Sequence, residues 1–228
     1  NTGMGVIVGG AGDDLIYGDF DGIISANSNN TWGYTIDVTT DENGNKQYTS
    51  NITGIDITNN TVVGAGKDDV IYAGTGNDFV NAGGGDDEVY GGTGNDTIFG
   101  EAGYDFIEGG NGDDILIGDN GNLLSASLSG GDYIDGGAGN DSIWGDAGND
   151  ELFGGADNDI IYGGEGNDYL DGEAGANTLY GGAGNDVIFG ETGNDYIVGD
   201  NGDDYIDAGD GDNTIWGGAD NDEIWAGS

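Results

Sequence analysis

A nine-residue period constrains this chain more than any single residue does. Residues 64–225 divide into eighteen consecutive nine-residue units without a change of frame, and residues 91–99, Gly-Gly-Thr-Gly-Asn-Asp-Thr-Ile-Phe, are a representative unit. Glycine dominates positions one, two and four, Asp dominates position six, and position eight is aliphatic in nearly every unit. A fixed period of this kind predicts one small structural unit that is stacked many times.

Each unit has room for about three strand residues, centred on position eight, and its Gly-rich remainder must turn. A strand this short is stable only when like strands stack about 4.8 Å apart. Two such strands per coil, back to back, place position-eight side chains such as Ile98, Leu116 and Ile143 in a thin shared core. The sequence therefore predicts an all-β solenoid of parallel strands in which two units, or about 18 residues, make one coil.

Two stretches alter the repeat in the same way. Residues 18–26 and 118–126 both begin Gly-Asp and end Ser-Ala, and both carry an apolar residue at position six, Ile23 in the first and Leu123 in the second. We interpret them as one recurring module at which the regular winding is locally changed.

The frame is lost after the first of these stretches. Residues 27–63 are rich in Asn and Thr, alternate apolar with polar residues, and contain the turn signal Asn43-Gly44, which predicts an inserted β-hairpin. We therefore divide the chain into N-terminal β-roll coils at 1–26, the inserted hairpin or ribbon at 27–63, and the main β-roll of eighteen units at 64–228.

The charge balance demands a cationic partner. The chain has 45 acidic residues against Lys46 and Lys67, a formal charge of −43, and no Cys or His. Such a chain repels itself and lacks the basic residues that bind nucleic acid or an anionic membrane surface. No apolar run reaches the length that would insert across a bilayer. Because the chain begins at Asn1 with the tail of a broken repeat, we expect it to be a fragment of something longer.

Position six forms two predicted columns, because alternate units lie on the same side of an 18-residue coil. The first column is unbroken: Asp78, Asp96, Asp114, Asp132, Asp150, Asp168, Asp186, Asp204 and Asp222. The second contains Asp69, Asp87, Asp105, Leu123, Asp141, Asp159, Asn177, Asp195 and Asn213. We expect a continuous row of ions along the first column, and a row interrupted at Leu123 and weakened at Asn177 and Asn213 along the second.

Stacked carboxylates about 4.8 Å apart repel one another unless a divalent cation lies between them. Calcium fits best, because it takes carboxylate and backbone carbonyl oxygens in flexible geometry, whereas zinc and copper need His or Cys and magnesium needs a tight octahedron. The alternative is an Asp that only caps its turn, but a cap accepts Asn or Ser, and fifteen of eighteen units have Asp. The predicted ligands are those Asp residues of the two columns together with Asp14.

The units resemble the repeats-in-toxin (RTX, hemolysin-type) nonapeptide, Gly-Gly-x-Gly-x-Asp-x-aliphatic-x, over residues 9–17 and 64–225. The resemblance implies a right-handed parallel β-roll with multiple calcium ions between the loops of successive coils. It also implies secretion to the cell surface or medium, commonly by the one-step type I route of Gram-negative bacteria, and folding in calcium-rich surroundings outside the cell.

Aromatic residues recur at position nine of alternate units. We expect them to form one outward stripe that either docks a sugar or another subunit, or stabilises the ladder by stacking. The residues of this possible partner surface are Tyr72, Tyr90, Trp144, Tyr162, Tyr180 and Trp216.

Two functions are compatible with these features, and neither is catalytic. The chain has no His, Cys or Arg, and its aligned carboxylates are better explained as metal ligands than as a glycosidase pair. The first hypothesis is a calcium-loaded structural roll of a secreted bacterial surface protein, such as an adhesin, a surface-layer component or a filament subunit. The second is an accessory secretion and folding module of a secreted protease, lipase or epimerase whose catalysis lies elsewhere in the parent chain.

Overall fold

The computed structural model describes residues 68–119 and 130–227 completely, and elsewhere the strand backbones of residues 5–11, 15–17, 34–40 and 46–52. All regular structure in this described part is β-strand. It therefore contains no helix that could cross a membrane.

Two parallel sheets contain nearly all the strands. The ten-stranded sheet has the order β1 (Gly5–Ala11), β5 (Asp69–Thr75), β7 (Glu88–Thr93), β9 (Phe106–Asn111), β11 (Tyr133–Ala138), β13 (Glu151–Ala156), β15 (Tyr169–Asp171), β17 (Val187–Phe189), β19 (Tyr205–Asp207) and β21 (Glu223–Trp225). The nine-stranded sheet has the order β2 (Leu15–Tyr17), β6 (Phe79–Gly84), β8 (Thr97–Ala102), β10 (Ile115–Asp119), β12 (Ser142–Ala147), β14 (Ile160–Glu165), β16 (Thr178–Ala183), β18 (Tyr196–Asn201) and β20 (Thr214–Ala219).

Strands alternate between the two sheets along the chain, and each strand pairs in parallel with the strand one coil away. Ile71 pairs with Val89, for example, and Ile161 with Leu179, both 18 residues further on. The predicted all-β parallel solenoid with about 18 residues per coil is confirmed.

The core is the position-eight row of both sheets. Ile98, Ile143 and Leu170 and their equivalents are fully buried and belong to one apolar cluster, while positions seven and nine of the same strands are mostly half-buried. Each sheet thus contributes one aliphatic side chain per coil, as predicted. Most strands are nevertheless five to seven residues long and not three, because they continue into the first positions of the next unit. This core is only two side chains thick, so burial of apolar surface stabilises each coil modestly.

The pairing offset changes once within the main roll. Ile107 pairs with Ile134 and Leu116 with Ile143, so both pairs span 27 residues and nine residues of chain are bypassed. The described residues of the roll stop at Asp119 and resume at Gly130.

Glycine packing shows which part of a unit is bypassed. At the fourth position of a regular unit, a Cβ would meet the carbonyl of the equivalent glycine one coil earlier, as at Gly112 against Gly94. Gly130 has the same relation to Gly103, at 1.7 Å, and Gly148 to Gly130, at 1.6 Å. We call Gly118, Asp119 and residues 130–135 the composite unit, because they provide positions one, two and four to nine of a regular unit.

The N-terminal strands extend the same two sheets, since Gly5 pairs with Asp69 and Leu15 with Phe79. In the sequence between β2 and β5, the strands β3 (Tyr34–Thr40) and β4 (Lys46–Ile52) pair antiparallel with each other. The predicted turn at Asn43-Gly44 lies outside the described residues. The inserted hairpin and the three-part division of the chain stay predictions.

Candidate metal centre

Position-six side chains form two hydrogen-bonded columns. In each, the backbone N–H of one residue donates to Oδ1 of the position-six residue one coil further on, at 2.7–3.2 Å. The long column runs Asp69, Asp87, Asp105, Asp132, Asp150, Asp168, Asp186, Asp204 and Asp222. The short column runs Asp78, Asp96, Asp114, Asp141, Asp159, Asn177, Asp195 and Asn213.

The predicted membership of the columns is wrong, because the bypassed residues shift the register by one unit. The sequence joined Asp114 to Asp132, whereas Asp105 bonds to Asp132 and Asp114 to Asp141. The two columns therefore exchange partners at the composite unit. Neither contains Leu123, which lies outside the described residues, so the predicted interruption of a column at Leu123 does not occur.

The two carboxylate oxygens of a position-six Asp have different roles. Oδ1 accepts the ladder hydrogen bond, while Oδ2 is buried and has no hydrogen-bond partner in most of the described units, and the side chain as a whole is 1–2% exposed. This holds at Asp96, Asp105, Asp114, Asp132, Asp141, Asp150, Asp159, Asp168, Asp186, Asp195 and Asp204. A buried carboxylate oxygen without a donor is costly, so each of these atoms calls for a cation or a proton.

Position five provides an internal control for this interpretation. Its Asn and Asp side chains also use Oδ1 to accept a backbone N–H from the neighbouring coil, as Asn167 does from Asn185 at 2.7 Å, but they are exposed. Asn is common at position five and rare at position six. Since Asn serves the ladder bond as well as Asp, the preference for Asp at position six must come from its second oxygen.

The second oxygen lies against position one, which is glycine in every unit with Asp at position six except those that begin at Ala73 and Ala82. A Cβ on Gly145, at position one, would lie 2.3 Å from Oδ2 of Asp150 and 2.8 Å from the carbonyl oxygen of Gly163 in the next coil. Gly163 and Gly181 repeat the arrangement with Asp168 and Asp186. We call this arrangement a cradle, since it brings a carboxylate oxygen close to a backbone carbonyl oxygen of the next coil.

An all-oxygen cradle of this kind fits calcium, which accepts carboxylate and carbonyl oxygens together. Among the described residues, no three acidic side chains are gathered into a ready-made metal cluster. An ion in a cradle would consequently need backbone carbonyls as well as carboxylates, which suits calcium better than zinc or copper.

Burial favours the protonated form of these carboxyl groups when no cation is bound. It raises the pKa of Asp105 to about 9, with a further contribution from the charge of Asp132. Burial likewise raises the pKa of Asp168 to about 7 and that of Asp141 to about 6.

The short column replaces Asp by Asn in two units near its end. Asn177 and Asn213 keep the ladder bond through Oδ1, and their Nδ2 groups donate to the carbonyls of Gly172 and Ala208 at 2.7 and 2.8 Å. An amide donor thus occupies the place where Asp has its unpartnered oxygen. These two units satisfy themselves without a cation.

Sequence reasoning missed Asp119. Its side chain is 1% exposed and both of its oxygens lack a hydrogen-bond partner. Burial raises the pKa of Asp119 to about 8, and the charges of Asp132 and Asp150 add to the effect. The available signal was the Gly-Asp pair at the start of the altered module.

The remaining predicted ligands have weaker or no structural support. Asp14 lies outside the described residues. Asp222 accepts the last ladder bond of the long column and is half-buried. Two position-four acids that replace glycine, Asp157 and Asp220, adopt φ values of 84° and 80°. They take the left-handed conformation that glycine favours.

The predicted single aromatic stripe is also divided by the change of register. Tyr72 and Tyr90 lie on the ten-stranded sheet, whereas Trp144, Tyr162, Tyr180 and Trp216 lie on the nine-stranded sheet. Most neighbours in these groups stack, with ring centroids 4.9 Å apart for Tyr72 and Tyr90 and for Tyr162 and Tyr180. The six residues therefore do not form one surface.

The ten-stranded sheet carries its own continuous row of rings, which switches between positions seven and nine. Successive centroids are 4.9–6.0 Å apart along Tyr72, Tyr90, Phe106, Tyr133, Phe153, Tyr169, Phe189 and Tyr205. Contacts at these distances stabilise a ladder of strands.

A comparison with characterised proteins finds no match. The family model described as RTX calcium-binding nonapeptide repeat matches residues 1–21, 56–89, 90–122, 128–161, 162–197 and 198–228, which is most of the chain. The repeat, the parallel solenoid and the two columns of buried carboxylates agree with that match, and the chain belongs to the RTX calcium-binding nonapeptide repeat family.

Proposed function

We propose that the position-six Asp residues of both columns bind calcium between successive coils, and that the roll folds only when calcium is bound. One observation carries this proposal, the buried Oδ2 atom that has no hydrogen-bond partner and faces a carbonyl of the next coil. The family implies calcium as the ion, and the all-oxygen cradle supports it.

Without calcium the roll is weakly held together. Its core is thin, and its 45 carboxylates are opposed by only two lysines, which leaves a net charge of −43. Burying charged oxygens without donors adds a further cost. Calcium offsets the charge repulsion and the cost of the buried oxygens, because each ion neutralises neighbouring carboxylates and joins two coils. Its binding free energy thereby becomes folding free energy.

Far-ultraviolet circular dichroism during a calcium titration tests the proposal. We expect little strand signal in excess chelator, a cooperative gain as calcium is added, and no such gain with the same concentration of magnesium. A strand signal that is unchanged by chelator would overturn the proposal.

A matched pair of variants assigns the effect to the columns. Asp168→Asn keeps the ladder bond and replaces the unpartnered carboxylate oxygen with an amide group. Asn167→Asp makes the reverse exchange, amide to carboxylate, at the exposed neighbouring residue. We expect the first to raise the calcium concentration at the folding midpoint and the second to leave it nearly unchanged. Shifts of similar size and opposite sign would show that overall charge, not the column, controls folding, because the two variants change the net charge in opposite directions.

An RTX roll is a structural calcium-binding module and is not itself catalytic, and such repeats are typical of proteins secreted by Gram-negative bacteria through type I systems. On this basis we place the chain outside the cell, as a structural part of a surface protein such as an adhesin, surface layer or filament. The length of the roll and its stacked aromatic rows support a structural role. A role as secretion and folding module of an enzyme remains the alternative.

Light scattering on calcium addition separates these roles. A lattice or filament component should assemble once it is folded, through self-association or by binding cell-surface carbohydrate supplied in the assay. A roll that folds with calcium and stays monomeric at every concentration tested would favour the accessory module.

A further inference from the structure

Asp119 is the described acidic side chain in this roll whose two oxygens are both buried without a hydrogen-bond partner. It occupies position two of the composite unit, directly after Gly118 and directly before the bypassed residues. The family pattern has glycine at position two, and Asp119 belongs to neither of the two position-six columns.

Other acids at position two behave differently. Glu101, Asp146, Glu173, Glu191 and Asp200 have φ values between 55° and 83°, and their side chains are half-buried or exposed. Asp119, in contrast, does not have a positive φ, and its side chain is only 1% exposed. Asp119 therefore differs from these acids in both backbone conformation and burial.

The position-one glycine directly before Asp119 lies beside the parts of a calcium cradle. A Cβ on Gly118 would lie 2.2 Å from Oδ2 of Asp132 and 3.0 Å from the carbonyl oxygen of Gly145. This is the arrangement found at position one of the regular units. The negative charges that act most strongly on Asp119 are those of Asp132 and Asp150, the two members of the long column on either side of this gap.

We propose that Asp119 is an additional ligand of the calcium ion held between the composite unit and the next coil, which makes this site the tightest in the roll. The inference rests on the proposed function, because it assumes calcium in the long column. A further carboxylate strengthens calcium binding, since affinity rises with the number of charged ligands. The site lies between the composite unit and the coil after it, so its ion joins these two coils.

Equilibrium dialysis with radioactive calcium, at free concentrations below the folding midpoint and above it, tests the proposal on the whole chain. We expect the wild type to fill one site ahead of the others. Asp119→Asn should weaken that first site by about tenfold or more and leave the later ones nearly unchanged. Asp200→Asn is the matched control, because Asp200 has the same residue type, position and column but is exposed. Its binding curve should agree with the wild type within about twofold.

A second variant guards against a folding defect. Asp119→Gly restores the family residue at position two, so it should reach the wild-type circular dichroism signal at saturating calcium while losing the early site. Wild-type protein that binds no calcium would overturn both this inference and the proposed function. Wild-type protein that binds calcium, with an early site that survives in both Asp119 variants, would overturn this inference alone.

Discussion

The two columns differ at two units, by one side-chain atom in each, and that difference separates the two roles of a position-six residue. Every member of the long column is Asp, while the short column has Asn177 and Asn213 near its end. Both residue types accept the ladder bond through Oδ1. Only Asp adds a buried oxygen without a donor, whereas Asn donates to its own turn. The ladder therefore holds the coils in register, and the second oxygen makes their stability depend on a cation.

The largest effect should come from a substitution that removes both the ladder hydrogen bond and the calcium ligand. In Asp168→Ala the N–H of Asp150 loses its acceptor and the long column loses a ligand in its middle. We expect a loss of about 3 kcal/mol or more in the free energy of unfolding with calcium present, since a buried donor is left unsatisfied and a charged ligand is gone.

Chemical denaturation at saturating calcium measures that loss. Asp168→Asn should fall between Asp168→Ala and the wild type, because it keeps the ladder bond. If the Asn and Ala variants were equally unstable, the ladder bond would contribute nothing and the comparison between the columns would fail.

A pH titration should give the next largest effect. In the calcium-free fold, burial raises the pKa of Asp105 to about 9 and that of Asp168 to about 7, above the ordinary value of 3.8. Because these folded-state pKa values exceed the unfolded one, the protonated groups favour the calcium-free fold below about pH 4, and this contribution is lost as the pH rises through 7 and 9.

Calcium binding has the opposite dependence, because the ion needs the charged carboxylates and must displace their protons. Raising the pH from about 5 to about 9 should lower the calcium midpoint of folding by about tenfold or more. Proton release measured by calorimetry in two buffers of different ionisation enthalpy checks the mechanism. A midpoint independent of pH would show that these buried groups are not the ligands.

The short column can be converted to match the long one. Asn177→Asp replaces the Nδ2 donor to Gly172 with an oxygen that faces the same carbonyl. Without calcium this change should destabilise compact forms, and with calcium it should add a ligand and lower the folding midpoint by several fold. The sign of the effect thus reverses with the ion.

The matched control is Asn158→Asp, which places the same charge at an exposed position-five residue of the preceding coil. We expect little change in either condition, apart from general repulsion that salt screens. An Asn177→Asp variant that is destabilised both with and without calcium would mean that no ion enters this part of the short column.

The sequence predicted the coil length, the buried position-eight row and the stacking of position-six residues in two columns, because each follows from a period that the structure keeps. It failed where the period itself misleads. Residues 118–126 keep the nine-residue frame, so counting cannot distinguish a unit that winds into the roll from an equal length that is bypassed. Leu123 in place of Asp was a signal of the difference, but we interpreted it as a gap in a column.

Asp119 could not be predicted for a related reason. Its importance depends on burial that arises only at the composite unit, and acids at position two are exposed or half-buried elsewhere. What the sequence does offer is a marker, since Gly18-Asp19 and Gly118-Asp119 both precede a departure from the regular repeat.

Deleting the bypassed length should have the smallest effect and is the most direct test of the column assignment. Removal of residues 120–128 leaves Gly118, Asp119 and residues 129–135, which together have the nine-residue length of a regular unit. Because Asp105 already bonds to Asp132 and Asp114 to Asp141, no column changes its members and no strand among the described residues is lost. We expect the same strand signal per molecule and the same calcium stoichiometry as in the wild type, with at most a small gain in stability from the shorter loop.

Deletion of residues 136–144 is the control, since it removes an equally long unit that does wind into the roll, together with Asp141 of the short column. That variant should lose a strand and at least one ion, and equal losses in both deletions would restore the column order that counting alone predicted.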